Sequence, residues 1–197
     1  MIDALQLKLR RMRAALEHQR AVDLSTATVE WNELGDFRFD PSGGMTDAEL
    51  SNAAHSIIYS TAYCKDALKD WCRAIGVPFH GESLINSNKS VSIVHDLWNL
   101  DKHHVLDKPP RSGFTPRIGP IYVAMTITSD PQTGMAMVLV TPNADGMPSI
   151  EFEGSPKLNL RAAVLDEQGN NLGQLVQICT EAADAWEQAF KDAALPV

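Results

Sequence analysis

The chain has 197 residues, of which 44% are hydrophobic and 21% are charged, and its net charge at pH 7 is −8. This length suits one compact domain with an elaboration and allows a sizeable core to be buried. Proteins that grip nucleic acid over a broad face are usually basic, so the acidic balance excludes such a face and leaves only a local contact.

The cysteines and the apolar runs indicate the compartment. Cys64, Cys72 and Cys179 are scattered and show no CxxC spacing. This pattern favours reduced thiols used as small apolar core residues over a disulfide framework or a zinc finger. The longest apolar run, around residues 121–127, is too short to cross a bilayer, and we see no secretory signal at the start. We therefore expect a cytoplasmic protein without a membrane segment.

The first 20 residues are basic, whereas the rest of the chain is acidic. They hold five basic and two acidic side chains, so the remainder carries a net charge of −11. The basic side chains are interpreted as a solvated helix face, and any nucleic-acid contact is expected there. The apolar residues of this segment recur at helical spacing and predict a helix to about residue 20: Leu5, Leu9, Met12 and Leu16.

A second helix is predicted from about residue 46 to Ile75, after a break at residues 40–44. Thr46 and Glu49 have the spacing of a capping box, in which each side chain satisfies a backbone N–H of the first turn. Gly76 and the following Val-Pro pair should end this helix. The segment between the first two helices is less regular and gives no clear element.

The rest of the chain predicts one more helix, a group of strands and a final helix. The third helix should start near Asn86 or Ser87 and end at about Leu106, because Pro109 and Pro110 forbid its continuation. A fourth helical stripe runs from residue 172 to the C-terminus. The strands are predicted at residues 121–128, 135–141, 150–153 and 158–166, the first two joined as a hairpin through residues 129–134 and the last closed by a turn at 168–171.

The predicted fold is α+β and mainly α. It is a four-helix bundle with a small antiparallel β-meander inserted between the third and fourth helices. Residues 1–197 would form a single domain, with the bundle at residues 1–108 and 172–195 and the β-insert at about residues 118–167.

The segment from Val94 to His104 is the most informative stretch of the chain. Within and just after it, residues three or four apart share one helix face and form a polar stripe: Asp96, Asn99, His103 and Asp107. Such a stripe serves either as a buried hydrogen-bonded network or as a functional site. The residues alone leave both interpretations open.

The pattern Asp96-Leu-x-Asn99-x-x-Lys102-His103 resembles a feature of small bacterial proteins similar to the HEPN superfamily. Residues 63–71 are similar to the end of the second helix in those proteins, and the resemblance covers about residues 46–108. It implies an α-helical bundle, a homodimer, and a role in a defence, stress or toxin–antitoxin system. It also implies RNA, an antitoxin or another protein as partner, and no cofactor.

One departure from the family pattern affects the expected activity. Active HEPN ribonucleases place an arginine before the polar residue and the histidine, but Trp98 occupies that position here. A scissile phosphate needs positive charge nearby in the transition state, which tryptophan does not supply. The missing arginine therefore favours a non-catalytic binding or regulatory module. The alternative is a metal-independent endoribonuclease in which His103 is general acid and base, Asn99 and Asp96 orient it, and Lys102 holds phosphate.

Two further interpretations concern the helices. His55, His103 and His104 could meet Asp96 between helices as a metal site, but no histidine pair has the spacing of four residues that would strengthen this second alternative. The aromatic residues of the second helix are interpreted as bundle core rather than as a stacking platform: Tyr59, Tyr63 and Trp71.

Overall fold

The computed structural model describes residues 2–16, 20–21, 28–31, 37–40, 45–103, 106, 108–129, 132, 134–142 and 148–194. The chain divides into two compact units. The first contains Met1–Glu17, Ser51–Ile121 and Arg161–Val197, and the second contains His18–Leu50 and Tyr122–Leu160.

Within the described residues the chain forms six helices and eight strands. The content is mixed α and β, but the predicted four-helix bundle with a β-meander between its third and fourth helices is wrong. The helices are α1 (Ile2–Leu16), α2 (Asp47–Ala62), α3 (Cys64–Ile75), α4 (Gly81–Ser87), α5 (Lys89–His103) and α6 (Leu175–Asp192). The strands are β1 (Arg20–Ala21), β2 (Thr28–Trp31), β3 (Phe37–Asp40), β4 (Arg117–Thr128), β5 (Met137–Pro142), β6 (Pro148–Glu153), β7 (Ser155–Leu165) and β8 (Asn171–Gln174).

The predicted second helix begins as expected but is divided in two. The capping box is confirmed, because Thr46 N donates to Glu49 Oε2 at 2.8 Å and Glu49 N donates to Thr46 Oγ1 at 3.3 Å. Tyr63 separates α2 from α3. Just before this point the Thr61 hydroxyl donates to the Ile57 carbonyl at 2.9 Å, a back-bond that often bends a helix.

The predicted third helix corresponds to α5, and a further short helix, α4, precedes it. Asn88 lies between α4 and α5, and its Oδ1 accepts the N–H of Val91 at 3.0 Å, which caps α5. The polar side chains at Asn86 and Ser87 suggested caps, but they form the end of the short α4, which the sequence pattern did not predict.

The predicted hairpin between the first two strands is wrong. The 12-residue β4 is the neighbour of the 11-residue β7, whereas β5 pairs with β6 in a two-stranded antiparallel sheet. Two strands of matched length satisfy the most backbone N–H and C=O groups when they pair with each other. The turn signals at residues 129–134 are local and do not reveal such a distant partner. Strands β1 and β8 both pair with β7, and β2 pairs with β3.

The predicted turn after β7 is confirmed and is organised by Asp166, which is 4% exposed. Its Oδ1 accepts the backbone N–H groups of Gln168 at 2.9 Å and Asn170 at 2.7 Å. The Asn170 side chain donates to its Oδ2 at 2.8 Å. A single carboxylate therefore accepts three hydrogen bonds within this tight connection.

The core of the first unit lies among α1, α3, α5 and α6. The predicted final helix begins at Leu175 rather than at residue 172, because residues 171–174 form β8. Most of its apolar stripe is buried in this core, and Trp186 and Phe190 are the largest members. All three cysteines are free and buried, as expected for core residues. Burial raises the pKa of the Cys64 and Cys179 thiols to about 12, which makes them inert as nucleophiles. In the part of the chain that the structure describes, no helix has the length and apolar character to cross a membrane.

An ion-pair cluster links α3, α4 and the loop after α5. Glu82 Oε1 lies 2.7 Å from Lys65 Nζ, and its Oε2 lies 2.5 Å from Arg111 Nη1. The Lys65 hydrogen bond is the main cause that lowers the pKa of Glu82 to about 2; burial opposes it, and Arg111 adds to it. Glu82 therefore stabilises the fold only while it is ionised.

The Glu82→Gln variant should be less stable than the wild type at pH 7. A carboxyl with a lowered pKa adds stability above its unfolded value, so the difference should shrink as pH falls from 4.5 to about 2. Chemical denaturation at a series of pH values measures it. Asp70→Asn is the matched control, since Asp70 forms an exposed pair with Arg73 and should contribute little. A difference that stays constant down to pH 2 would contradict this role.

Candidate functional site

The polar stripe on α5 begins with Asp96, which is 2% exposed. Its Oδ2 accepts the backbone N–H of Ser112 at 2.8 Å, in the loop after α5. Burial alone would raise the pKa of Asp96, but hydrogen bonds from the Ser112 and Arg111 backbone help to outweigh it, so the pKa is lowered. Asp96 is thus an ionised, buried carboxylate that holds a loop.

Asn99 is bonded to a neighbour that the sequence analysis missed. Its Nδ2 lies 2.9 Å from His95 Nδ1. Because an amide nitrogen only donates, His95 Nδ1 accepts and the ring proton lies on Nε2. The signal was available in the sequence, since His95, Asn99 and His103 follow one another at intervals of four residues on one helix face.

The structure brings three of the predicted site residues to one cavity of about 210 Å³. We call it the histidine cavity. Its polar lining comes from α5 and from the loop that follows: His95, Asp96, Asn99, His103, Lys108 and Arg111. His103 and Lys108 are exposed at this site.

The remaining predicted site residues lie elsewhere. Lys102, the predicted phosphate ligand, does not line the histidine cavity, and its Nζ lies 5.4 Å above the Trp98 ring. His55 Nδ1 lies 3.0 Å from Asp101 Oδ1. The described residues contain no group of three side chains suited to a metal ion. His104 and Asp107 lie outside the described residues.

Four rings from α2, the α2–α3 junction and α5 form a continuous surface, which we call the aromatic row: Tyr63, Tyr59, Trp98 and His95. Tyr59 and Tyr63 are stacked, with centroids 6.2 Å apart and planes 11° apart. Tyr59 meets Trp98 edge to face at 6.5 Å, and Trp98 meets His95 in the same way at 6.2 Å. These are the preferred geometries of aromatic pairs.

Two lysines flank the aromatic row. Lys8 of α1 lies 4.6 Å above the Tyr63 ring and donates to the Tyr63 hydroxyl at 3.2 Å. Lys102 covers Trp98 as described above, so a cation stands over two of the four rings. Arg11 is exposed one helical turn from Lys8.

The aromatic row is open to solvent at its centre. Tyr59 is 55% exposed, so its interpretation as bundle core is wrong. The same interpretation is confirmed for Trp71, which is 5% exposed and donates from Nε1 to the Ala193 carbonyl at 2.9 Å. Helical spacing placed both residues on apolar helix faces, but it does not tell which face a neighbouring helix covers.

Asp96→Ala should lower the free energy of unfolding by about 1–3 kcal/mol, because the Ser112 N–H loses its acceptor. Asp96→Asn, which keeps an oxygen acceptor, should lose less. Denaturant unfolding measures both variants. The control is Asp101→Ala on the same helix, an exposed residue whose change should stay within about 0.5 kcal/mol. Equal stability of Asp96→Ala and Asp101→Ala would remove the structural role of Asp96.

No family model matches this chain, and neither the curated proteins nor the solved structures contain a match. The resemblance to the HEPN superfamily therefore stays a prediction. Function is inferred here from the geometry of the aromatic row and the histidine cavity, because function resides in sites rather than in fold class.

Proposed function

We propose that the protein is a non-catalytic binding module that holds single-stranded nucleic acid on the aromatic row. The observation that carries this proposal is the exposure of Tyr59, at 55%, inside a set of stacked rings flanked by lysines. Tyr59 packs on Tyr63 and Trp98 but leaves more than half of its surface open to solvent, where a base can stack on it.

Stacked rings beside cations match what a single strand requires. Its bases stack on aromatic side chains, and this contact tolerates any sequence because each base has a π-face. Lys8 and Lys102 lie at the two sides of Tyr59, where they would neutralise phosphates between stacked bases. The aromatic row therefore offers both halves of this recognition chemistry on one surface.

The charge distribution limits the contact to this surface. The net charge of −8 opposes binding over a broad face, whereas Lys8 and Lys102 place two positive charges at the aromatic row. Asp101 also lies nearby on α5, and His55 faces its carboxylate at 3.0 Å. A short strand that follows the rings would meet more positive than negative charge.

The hydrogen bonds of the polar stripe on α5 support the proposal that the protein is not catalytic. Asp96 is bonded to Ser112 and Asn99 to His95, so neither directs His103. His95 and His103 are eight residues apart on α5, a rise of about 12 Å, so they do not form an adjacent acid–base pair. One observation favours the ribonuclease alternative: both histidines line the histidine cavity with Lys108 and Arg111. The binding assay below therefore includes a cleavage readout.

Tyr59→Ala should weaken binding of a fluorescein-labelled single-stranded RNA by about 5- to 150-fold, since loss of one stacking ring costs about 1–3 kcal/mol. Fluorescence anisotropy measures the affinity. Tyr122→Ala is a close control, because Tyr122 is also an exposed tyrosine, at 54%, but belongs to β4. That variant should bind like the wild type.

The same assay contains the outcomes that oppose the proposal. Single-stranded DNA is tested beside RNA, and binding of neither strand overturns it. An equal loss in both tyrosine variants would show that the aromatic row is not the binding surface. The proposal also predicts that the RNA is recovered at full length. Shortened RNA with the wild type, but not with His103→Ala, would replace it with the ribonuclease alternative.

Lys8→Gln and Lys102→Gln should each reduce the salt dependence of binding. Each phosphate neutralised on a single strand contributes about −0.7 to the slope of log affinity against log salt concentration, so each variant should flatten the slope by about this amount. Affinity is measured over a series of salt concentrations. Lys191→Gln, an exposed lysine of α6, is the control and should keep the wild-type slope. Slopes unchanged in both variants would exclude phosphate contact by these lysines.

A further inference from the structure

The aromatic row and the histidine cavity share one residue. The His95 ring packs edge to face on Trp98, with centroids 6.2 Å apart, and the same side chain lines the histidine cavity. All residues of both features belong to the first unit. A strand that follows the row past Trp98 would therefore reach the histidine cavity next.

The histidine cavity is lined mainly by hydrogen-bond donors. His95 offers Nε2–H, because its Nδ1 is occupied by Asn99. Lys108 and Arg111 bring positive charge from the loop after α5. Arg111 also pairs with Glu82, but Glu82 is shared with Lys65, so this cluster keeps one positive charge in excess.

One anionic group also lines the histidine cavity. The Asp96 carboxylate directs Oδ2 to the Ser112 N–H, and its Oδ1 lies 3.8 Å from His95 Nδ1. It is 2% exposed, whereas His103 and Lys108 are exposed. An anion that enters from solvent thus meets the cationic and imidazole groups before the buried carboxylate.

The size of the histidine cavity selects the group that it accepts. Its volume is about 210 Å³, below the range of about 300–1,000 Å³ that holds drug-sized ligands. A whole nucleotide would not be enclosed, whereas a phosphate would. Imidazole, ammonium and guanidinium donors are the groups that bind phosphate oxygens most strongly.

We infer that the histidine cavity binds the terminal phosphate of a strand whose bases stack on the aromatic row. This inference rests on the proposed function. A terminal phosphate suits the cavity better than an internal one, because it carries about 1.5–2 negative charges at neutral pH rather than one. A terminal phosphate also has a single ester linkage. It therefore enters a small cavity without requiring the strand to continue out of the far side, as an internal phosphate would.

The test compares three labelled oligonucleotides of one sequence that carry a 5′-phosphate, a 3′-phosphate or neither. We expect one of the two phosphorylated strands to bind about tenfold more tightly than the unphosphorylated strand, the size of a charge-assisted hydrogen bond. In the double variant His103→Ala with Lys108→Ala, this preference should disappear. Lys191→Ala should retain it. Circular dichroism of each variant confirms that it is folded.

Inorganic phosphate gives an independent measurement that needs no strand. Its titration should shift the imidazole NMR signals of His95 and His103 in the wild type and not the His95 signal in the double variant. Equal affinity for all three oligonucleotides, with no shift by phosphate, would overturn the terminal-phosphate site while the proposed function stands. Failure of every oligonucleotide to bind would overturn the proposed function and this inference together.

Discussion

The hydrogen bond between the Ser112 N–H and the Asp96 carboxylate is the constraint on which the site depends. Asp96 stands in the middle of α5 and is 2% exposed, so its ionised form is tolerated only because it is hydrogen-bonded. The bond fixes the loop after α5, which carries Lys108 and Arg111 to the histidine cavity. The Glu82 ion pair holds Arg111 as well, so the two contacts together anchor the segment next to His95.

Helix α5 combines three environments around one axis. Val91, Ile93, Val94 and Leu97 are buried and set its depth in the first unit. Trp98 belongs to the aromatic row and Lys102, four residues later, flanks it, whereas His95, Asn99 and His103 face the histidine cavity. Because His95 contacts Trp98, the aromatic row and the histidine cavity meet at a single side chain, and a ligand that spans both would pass over it.

Local signals in the sequence predict the features that depend on residues close together in the chain. They fail for features that depend on contacts between distant segments. The capping box of Thr46, the stripe of α6 and the polar stripe at Asp96 and Asn99 follow from spacing along one helix. The pairing of β4 with β7 joins segments about 40 residues apart, which no local pattern specifies. Exposure of Tyr59 likewise depends on which helix face receives a neighbour, so helical spacing alone wrongly predicts this residue to be core.

The lysines over the rings explain how an acidic chain would bind a strand with modest affinity. In the free protein Lys8 and Lys102 stand over Tyr63 and Trp98. An exposed cation–π contact contributes about 0.5–1 kcal/mol, whereas a base stacked on a ring contributes about 1–3 kcal/mol. A base can therefore displace the ammonium group with a net gain. In the proposed complex the displaced lysine would keep its long flexible stem beside the ring, where it would meet the phosphate of the same nucleotide. Under the proposed function, stacking and charge neutralisation would be coupled at Tyr63 and Trp98, and salt should weaken both together.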